Sequence, residues 1–322
     1  MKKILVIFGG NSYEHYISCL SAKTILTHID RKKYDVSVVG ITKDNKWYIF
    51  NDDIKILEKD WTKGNLIEID NIVEYLKQFD KVFPIMHGNP EENGNIQGML
   101  NMFDIPFVGT DLLGSIIGYD KDITKTICNK YDIPQVQYIT LTTNKALKNI
   151  DMDFPVIIKP SKCGSSIGIN IANNIKELNA YVKEAFKYDD KVIVEKYIKS
   201  REFECAVLDD KKLKVSTVGE IKSANTFYDY EAKYESDSKL LIPAPIDKNL
   251  IKEIQELSLK IFKILSLKDL SRIDFLYDYN NKKLYFNEVN TMPGFTNISM
   301  YPLLFNEEGI SIKKLISILI DN

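Results

Sequence analysis

The sequence predicts an α/β protein whose later parts mix helices and strands, organised in two or three domains. The chain opens with a continuous apolar run at 3–8, two glycines, and apolar residues at helical spacing over 17–29. Later segments alternate between apolar and polar residues and come in pairs around short turns. A length of 322 residues also exceeds what one hydrophobic core usually covers.

Composition and charge exclude several classes of protein. The 43 Lys and Arg nearly balance the 45 Asp and Glu, so the net charge of -2 argues against nucleic-acid binding by bulk electrostatics. No apolar run approaches the roughly 20 residues that cross a membrane. The apolar run after Lys3 is too short for a signal peptide. The 4 cysteines are far apart, which predicts neither disulfides nor a zinc site, and favours a reduced, cytoplasmic setting.

The first domain is predicted to span residues 1–118. Its opening strand, glycine turn and helix are typical of the first unit of a parallel sheet. The segments that extend this wound domain are apolar runs at 35–41 and 81–86, a helix at 93–103 and a short strand near 106–108.

Two further domains are predicted over residues 119–197 and 198–322. Their regular segments are an amphipathic stretch at 120–132, a hairpin formed by FPVIIKP and IGINI, a helix at 175–188, a strand VIVEKYI, a hairpin over 203–221, a helix at 248–265, a hairpin formed by RIDFLYD and KLYFNEVN, and a closing helix at 310–320. Residues 222–245 lack periodicity, and an irregular connection of that length is usually functional or disordered.

A loop rich in Gly and Ser, KPSKCGSSIG at 159–168, joins the two strands of the first of these hairpins. Glycines let the backbone approach an anion, serines and backbone N–H groups can donate to phosphate oxygens, and Lys159 supplies positive charge. No Gly-Lys-Ser/Thr sequence opens a helix here, so this is not a Walker loop. The loop alone supports a phosphate site and a plain hairpin tip about equally.

Two pairs of polar residues on neighbouring strands predict a metal site. Arg272 and Asp274 are two residues apart on one strand, and Glu288 and Asn290 on the next, so the side chains of each pair share a face. Two carboxylates and an amide oxygen suit Mg²⁺. A solvated strand face with an Arg–Asp pair is the alternative. The turn that follows contains Gly294, whose N–H could face a developing oxyanion.

Two turns of the first domain carry further polar residues. The turn after the opening strand departs from the dinucleotide pattern G-x-G-x-x-G, which argues against a nicotinamide cofactor. Glu14 in that turn could bind substrate or only complement the helix dipole. His87 follows another strand, at the edge where open sheets place ligands, although a lone histidine is more often structural.

Taken together and in this order, the motifs resemble the D-alanine:D-alanine ligases, a family with the ATP-grasp fold. The matching segments are FGGNSYEHYIS, HGNPEENGNIQG, KPSKCGSSIGI, VEKYIKSREF, FYDYEAKY and RIDFLYD with NEVNTMPGFT. The resemblance implies an N-terminal wound α/β domain and central and C-terminal α+β domains that clamp ATP. It also implies ATP-dependent ligation of two D-alanines through an acyl phosphate, for peptidoglycan precursors.

The resemblance further implies a role for each matching residue. Catalytic roles fall to Glu14, Ser165, Tyr234, Arg272 and Gly294, and substrate binding to His87, Ser299 and Met300. ATP contacts fall to Lys121, Lys159, Ser166, Glu195, Lys196, Tyr197, Ile198, Glu202, Tyr228 and Lys233. Two Mg²⁺ ions, which Mn²⁺ can replace, would bind Asp274, Glu288 and Asn290. The segment 222–245 would be a mobile loop over ATP, and a homodimer is expected because the family is commonly dimeric.

Alternative activities remain open. A D-alanyl-D-serine ligase would share these motifs, because the choice of acceptor depends on a few pocket residues. Another ATP-grasp carboxylate-amine ligase or a carboxylase would share the metal hairpin and the phosphate loop, but not Glu14 or His87. An ATP-binding regulatory module would need a broken site, whereas the residues of the hairpin are all present. One departure from the family pattern is Glu91, where a glycine is usual.

Overall fold

In the computed structural model, residues 1–222 and 239–322 are described, and three β-sheets organise them. The strands of this part are β1 (Lys2–Gly9), β2 (Tyr34–Ile41), β3 (Trp47–Phe50), β4 (Leu66–Glu68), β5 (Lys81–Pro84), β6 (Tyr138–Leu141), β7 (Val156–Pro160), β8 (Asn170–Ala172), β9 (Val192–Lys196), β10 (Ser200–Asp210), β11 (Lys212–Lys222), β12 (Lys239–Leu241), β13 (Leu270–Asp278) and β14 (Lys283–Asn290). The helices are α1 (His15–His28), α2 (Ile72–Leu76), α3 (Asn95–Met102), α4 (Leu112–Tyr119), α5 (Lys121–Lys130), α6 (Ile175–Ala185), α7 (Lys248–Ile264), α8 (Met300–Glu307) and α9 (Ile312–Asp321).

The first sheet has the order β4-β3-β2-β1-β5 and confirms the predicted α/β start of the chain. β1 runs parallel to β2 and β5, and its apolar run is fully buried. Gly9 ends β1 at a φ of 96°, where an added Cβ would lie 2.1 Å from the Ile41 carbonyl oxygen. Only glycine therefore lets the chain turn from β1 into α1. The strand predicted near 106–108 is reduced to a bridge between Val82 and Phe107.

The second sheet has the order β6-β9-β7-β8, and the third has the order β12-β11-β10-β13-β14. Both are antiparallel, and each of the three predicted hairpins forms. The tight turn between β10 and β11 falls on Lys211, with a φ of 57°. The three sheets agree with a wound α/β domain followed by α+β parts, while the proposed domain boundaries stay predictions.

Several elements were not predicted. β3, β4 and β6 are short, and α4 and α8 lie in segments whose apolar residues did not indicate a separate helix. α8 and α9 pack with α1 and β1 in one core, so the end of the chain covers the first sheet. No helix within 1–222 and 239–322 is long and apolar enough to cross a membrane.

The prediction of an irregular segment over 222–245 needs correction at its edges. Lys222 still belongs to β11, and Lys239–Leu241 form β12, which pairs antiparallel with β11. A three-residue strand is too short to show alternation in sequence. Tyr228, Lys233 and Tyr234, all predicted site residues, lie outside the described residues.

Candidate active site

Two cavities meet along a shared wall of side chains. The first cavity lies at the carboxyl ends of β1 and β5 and is lined among others by Glu14, His87, Gly294, Ser299 and Met300. The second cavity lies between the second and third sheets and is lined among others by Lys159, Ser166, Glu195, Glu202 and Asp274. Lys121, Ser165, Arg272 and Glu288 line both. The predicted substrate residues therefore face the first cavity, and five of the eight predicted ATP residues in the described part of the chain line the second.

Glu14 is held in the first cavity by two anchored turns. It follows β1 and begins α1, and its carboxylate accepts a hydrogen bond of 2.6 Å from the Ser165 hydroxyl. The Glu14 N–H donates to Ser12 Oγ at 3.1 Å, and the Ser12 hydroxyl donates to the His87 carbonyl oxygen at 2.5 Å. Because β1 and β5 are parallel neighbours, the turns that follow them meet at one edge. Glu14 thus presents a carboxylate at a fixed position in the first cavity.

His87 lies beside this cavity with both ring nitrogens engaged by the protein. Its side chain is buried, Nδ1 donates to the Met292 carbonyl oxygen at 3.1 Å, and Nε2 accepts from the Ser21 hydroxyl at 3.0 Å. The Phe295 N–H in turn donates to Ser21 Oγ at 3.2 Å. Burial lowers the pKa of His87, which favours this neutral tautomer. In this arrangement His87 fixes the turn around Gly294 and has no nitrogen left for a substrate.

The two carboxylates after His87 have separate environments. Glu91, the residue that departs from the family pattern, points inward and accepts a hydrogen bond of 3.1 Å from the Met86 N–H. Burial and the neighbouring Glu92 raise the pKa of Glu91 well above its usual range, which favours its neutral form. Glu92 lines the first cavity, where burial and Glu14 raise its pKa to about 7.

Arg272 lies where the two cavities meet and forms a fork with Asp274. Its Nε and Nη2 donate to the two Asp274 oxygens at 2.8 and 2.7 Å, and its Nε also lies 2.8 Å from Glu204 Oε2 on β10. Asp274 accepts a further hydrogen bond of 3.0 Å from Asn290 Nδ2. The register pairs Asp274 with Glu288 and Arg272 with Asn290, so the four side chains share a face as their spacing predicts. Opposite charges thus alternate across the wall between the cavities.

Lys121 connects this wall to the loop at 161–168. Its Nζ donates to the Cys163 carbonyl oxygen at 2.8 Å and lies 3.4 Å from Glu288 Oε2. Burial alone would lower the pKa of Lys121, but Glu288 raises it on balance, so the ammonium stays charged. Within the described part of the chain, no group of three or more His, Cys, Asp or Glu is arranged to hold a metal ion.

The loop at 161–168 is anchored rather than a free hairpin tip. The Ser161 hydroxyl donates to Asp120 Oδ1 at 2.7 Å, and the Lys162 N–H donates to Asp189 Oδ2 at 2.6 Å. Ser165 and Ser166 adopt φ values of 49° and 59°, in the left-handed region. Such a local conformation persists only where its surroundings hold it, and it is frequent at ligand sites.

Lys159 and Glu195 face each other in the second cavity. Lys159 Nζ lies 2.6 Å from Glu195 Oε2, and Lys125 Nζ lies 2.7 Å from Glu195 Oε1. The lysines lower the pKa of Glu195 against the effect of burial, so this carboxylate is charged. Each of the two Glu195 carboxylate oxygens therefore faces one lysine ammonium group.

Comparisons with known proteins match almost the whole chain. A family model described as the D-ala D-ala ligase N-terminus matches residues 3–110, and one described as the D-ala D-ala ligase C-terminus matches residues 127–321. The chain belongs to the D-alanine–D-alanine ligase family. A relative in Acetivibrio thermocellus, named D-alanine–D-alanine ligase, is 41% identical over 99% of this chain and 95% of its own length.

Solved structures of this family agree with the fold. The VanG D-Ala:D-Ser ligase from Enterococcus faecalis superimposes with a TM-score of 0.90 at 35% identity, covering 99% of this chain and 98% of its own. The D-alanine–D-alanine ligase from Bacillus anthracis complexed with ATP has a TM-score of 0.79 at 27% identity, covering 100% of this chain and 97% of its own. This ADP-forming ligase family uses ATP.

Some predicted residues lie apart from the cavities, and some lining or supporting residues were missed. Lys196, Tyr197 and Ile198 do not line either cavity. Lys125 and Glu204 were not predicted, although a signal existed for both. Lys125 follows Lys121 by four residues in a helical stretch, and Glu204 follows Glu202 by two in a strand, so each pair shares a face.

Proposed function

We propose that this protein joins two D-alanines to D-alanyl-D-alanine with hydrolysis of ATP to ADP and phosphate, supplying peptidoglycan precursors. One observation carries the proposal: a cavity with a fixed carboxylate, Glu14, adjoins a cavity with buried lysines, and Arg272 lies between them. A carboxylate suits the ammonium of an amino acid, and lysines suit polyphosphate. The wall between them is where a phosphoryl group would pass.

The proposed reaction has two chemical steps. The carboxylate of the first D-alanine attacks the γ-phosphorus of ATP, which releases ADP and forms an acyl phosphate. The amine of the second D-alanine then attacks the acyl carbon, loses a proton, and phosphate leaves. Glu14 with Ser165 would orient the first ammonium, and Arg272 with the Gly294 N–H would stabilise the oxyanion of the second step. A closed cleft protects the acyl phosphate from water.

The residues of the hairpin fit two magnesium ions, or manganese in their place. Asp274, Glu288 and Asn290 offer oxygen ligands from adjacent strands, which is the donor set that Mg²⁺ prefers. Bound there, the metal would neutralise charge on the transferring phosphoryl group. Arg272 Nη2 lies 2.7 Å from Asp274 Oδ2, and Lys121 Nζ lies 3.4 Å from Glu288 Oε2, so each carboxylate also has a cationic neighbour.

The acceptor assay tests this function. Purified protein is given ATP, Mg²⁺ and D-alanine, alone or with D-serine or D-lactate as second substrate, and phosphate and the dipeptide are measured. We expect the fastest turnover with D-alanine as acceptor. A D-alanyl-D-serine ligase is the second candidate because of the similarity to the Enterococcus faecalis enzyme. Fastest turnover with D-serine would favour that candidate, and no phosphate release with any D-amino acid would reject both.

Glu14→Gln tests the first-substrate site. The amide keeps the size of the side chain and an oxygen that can accept from Ser165, but removes the charge that would bind an ammonium. We expect KM for the first D-alanine to rise roughly tenfold to a hundredfold, the loss of one charge-assisted hydrogen bond, with KM for ATP nearly unchanged. Glu68→Gln, at an exposed position of β4, is the matched control. Equal kinetics in both variants would contradict the role of Glu14.

The remaining proposals concern the setting of the enzyme. We propose a cytoplasmic location, where ATP is supplied, and the 4 cysteines are free thiols as expected there. We also propose a homodimer, on the family resemblance alone, with no nucleic-acid or membrane partner. Mass measurement in solution tests the dimer.

A further inference from the structure

A buried cluster of three charges, formed by Lys125, Glu195 and Lys159, lies in and behind the wall of the second cavity. The side chains are 1%, 2% and 7% exposed. Glu195 lies between the two lysines, with one carboxylate oxygen toward each, at 2.7 Å from Lys125 and 2.6 Å from Lys159. The two ends of the cluster differ, because Lys159 and Glu195 line the cavity whereas Lys125 does not.

The charges of the cluster do not cancel. Two ammonium groups and one carboxylate leave one positive charge on side chains that are at most 7% exposed, which is costly without a further partner. The Tyr138 ring supplies a weak partner to Lys125, with its centroid 5.1 Å from the ammonium nitrogen. Burial lowers the pKa of Lys125, and Glu195 opposes this effect. The surplus positive charge faces the cavity only through Lys159.

We propose that Lys125 is a positioning residue for the nucleotide phosphates, which holds Glu195 so that Glu195 holds the Lys159 ammonium at the cavity wall. With Lys125 present, Glu195 is fixed by one lysine and holds the ammonium of the other, Lys159, at the cavity wall. Without Lys125, Glu195 would lose this fixed position, and Lys159 would no longer be held where it can reach a phosphate. The inference rests on the proposed function only in taking ATP as the ligand of the second cavity.

Lys125→Met tests the proposal by removing the charge at nearly constant length. The dissociation constant of ATP is measured by calorimetry without D-alanine, together with the melting temperature. We expect the dissociation constant to rise roughly tenfold to a hundredfold, which corresponds to the free energy of one charge-assisted hydrogen bond between Lys159 and a phosphate. Lys130→Met, at an exposed position of the same helix, should leave ATP binding unchanged. Wild-type affinity in folded Lys125→Met would overturn the proposal.

The double variant Lys125→Met with Glu195→Gln separates positioning from charge balance. It removes the buried carboxylate together with its partner, so the melting temperature should recover toward that of the wild type. Lys159 has then lost its anchor, so ATP affinity should stay at least about tenfold weaker than wild type. Recovery of affinity together with stability would show that Lys125 only balances charge, and would overturn the proposal. The double variant also decides the matter if Lys125→Met does not fold.

These measurements do not depend on the ligation reaction. Wild-type protein that binds ATP but does not join D-alanine would reject the proposed function and leave the role of Lys125 to be judged by the variants. Wild-type protein that does not bind ATP would overturn both.

Discussion

Replacing Arg272 by lysine is expected to lower kcat by roughly 10²- to 10³-fold, because the variant would lose one hydrogen-bond donor to the oxyanion. Arg272 places two N–H groups on Asp274 at 2.8 and 2.7 Å while its Nε also lies 2.8 Å from Glu204. Lysine keeps the positive charge but has no planar fork, so it cannot hold two carboxylates and face a substrate oxygen in one fixed geometry. Steady-state kinetics with saturating ATP and D-alanine measure the effect.

Arg31→Lys is the matched control for this variant. Arg31 is exposed, and the same exchange there should change kcat by less than about twofold. The melting temperature of Arg272→Lys separates a catalytic loss from misfolding, since the retained charge still balances Asp274 and Glu204. A kcat close to that of the wild type in a folded Arg272→Lys protein would show that the fork has no catalytic role.

Replacing Glu288 by glutamine is expected to abolish most ATP turnover. Glu288 faces Asp274 across the hairpin and Lys121 at 3.4 Å, and it lines both cavities. An amide is a weaker ligand than a carboxylate for a hard cation. Replacing a residue that only hydrogen-bonds to a metal ligand typically lowers metal affinity or activity about 10- to 100-fold. Loss of a direct ligand should therefore lower kcat by roughly 10²-fold or more. Phosphate release measured over a range of Mg²⁺ concentrations should show a raised metal requirement.

Glu307→Gln serves as the control for this charge change. Glu307 is exposed at the end of α8, so its removal should affect neither turnover nor the dependence on Mg²⁺. Unchanged ATP turnover in Glu288→Gln at low Mg²⁺ would contradict the metal assignment, whatever the acceptor specificity of the enzyme.

Hydrophobic periodicity predicted the parts of the fold whose patterns are local. The β13–β14 hairpin shows this, because Arg272, Asp274, Glu288 and Asn290 alternate at a spacing of two and therefore share a face once the strands pair. The short strands β6 and β12 escaped prediction, since three or four residues do not establish a period. Arg201 on β10 donates two hydrogen bonds of 2.7 Å to Glu220 on β11, a contact between strands that no local pattern indicates.

The sequence by itself determined the order of the segments, the hairpins and the residue types available for chemistry, because each depends on neighbours along the chain. Only the tertiary structure decided which distant groups meet. Ser21 and Phe295 are 274 positions apart, yet the Phe295 N–H donates a hydrogen bond to Ser21 Oγ. The Ser21 hydroxyl donates to His87 Nε2, and the two hydrogen bonds together fix the turn that contains Gly294. Lys125 likewise reaches Glu195 only because α5 packs beside the second sheet. Such contacts depend on chain topology, which the spacing of apolar residues within one segment does not indicate.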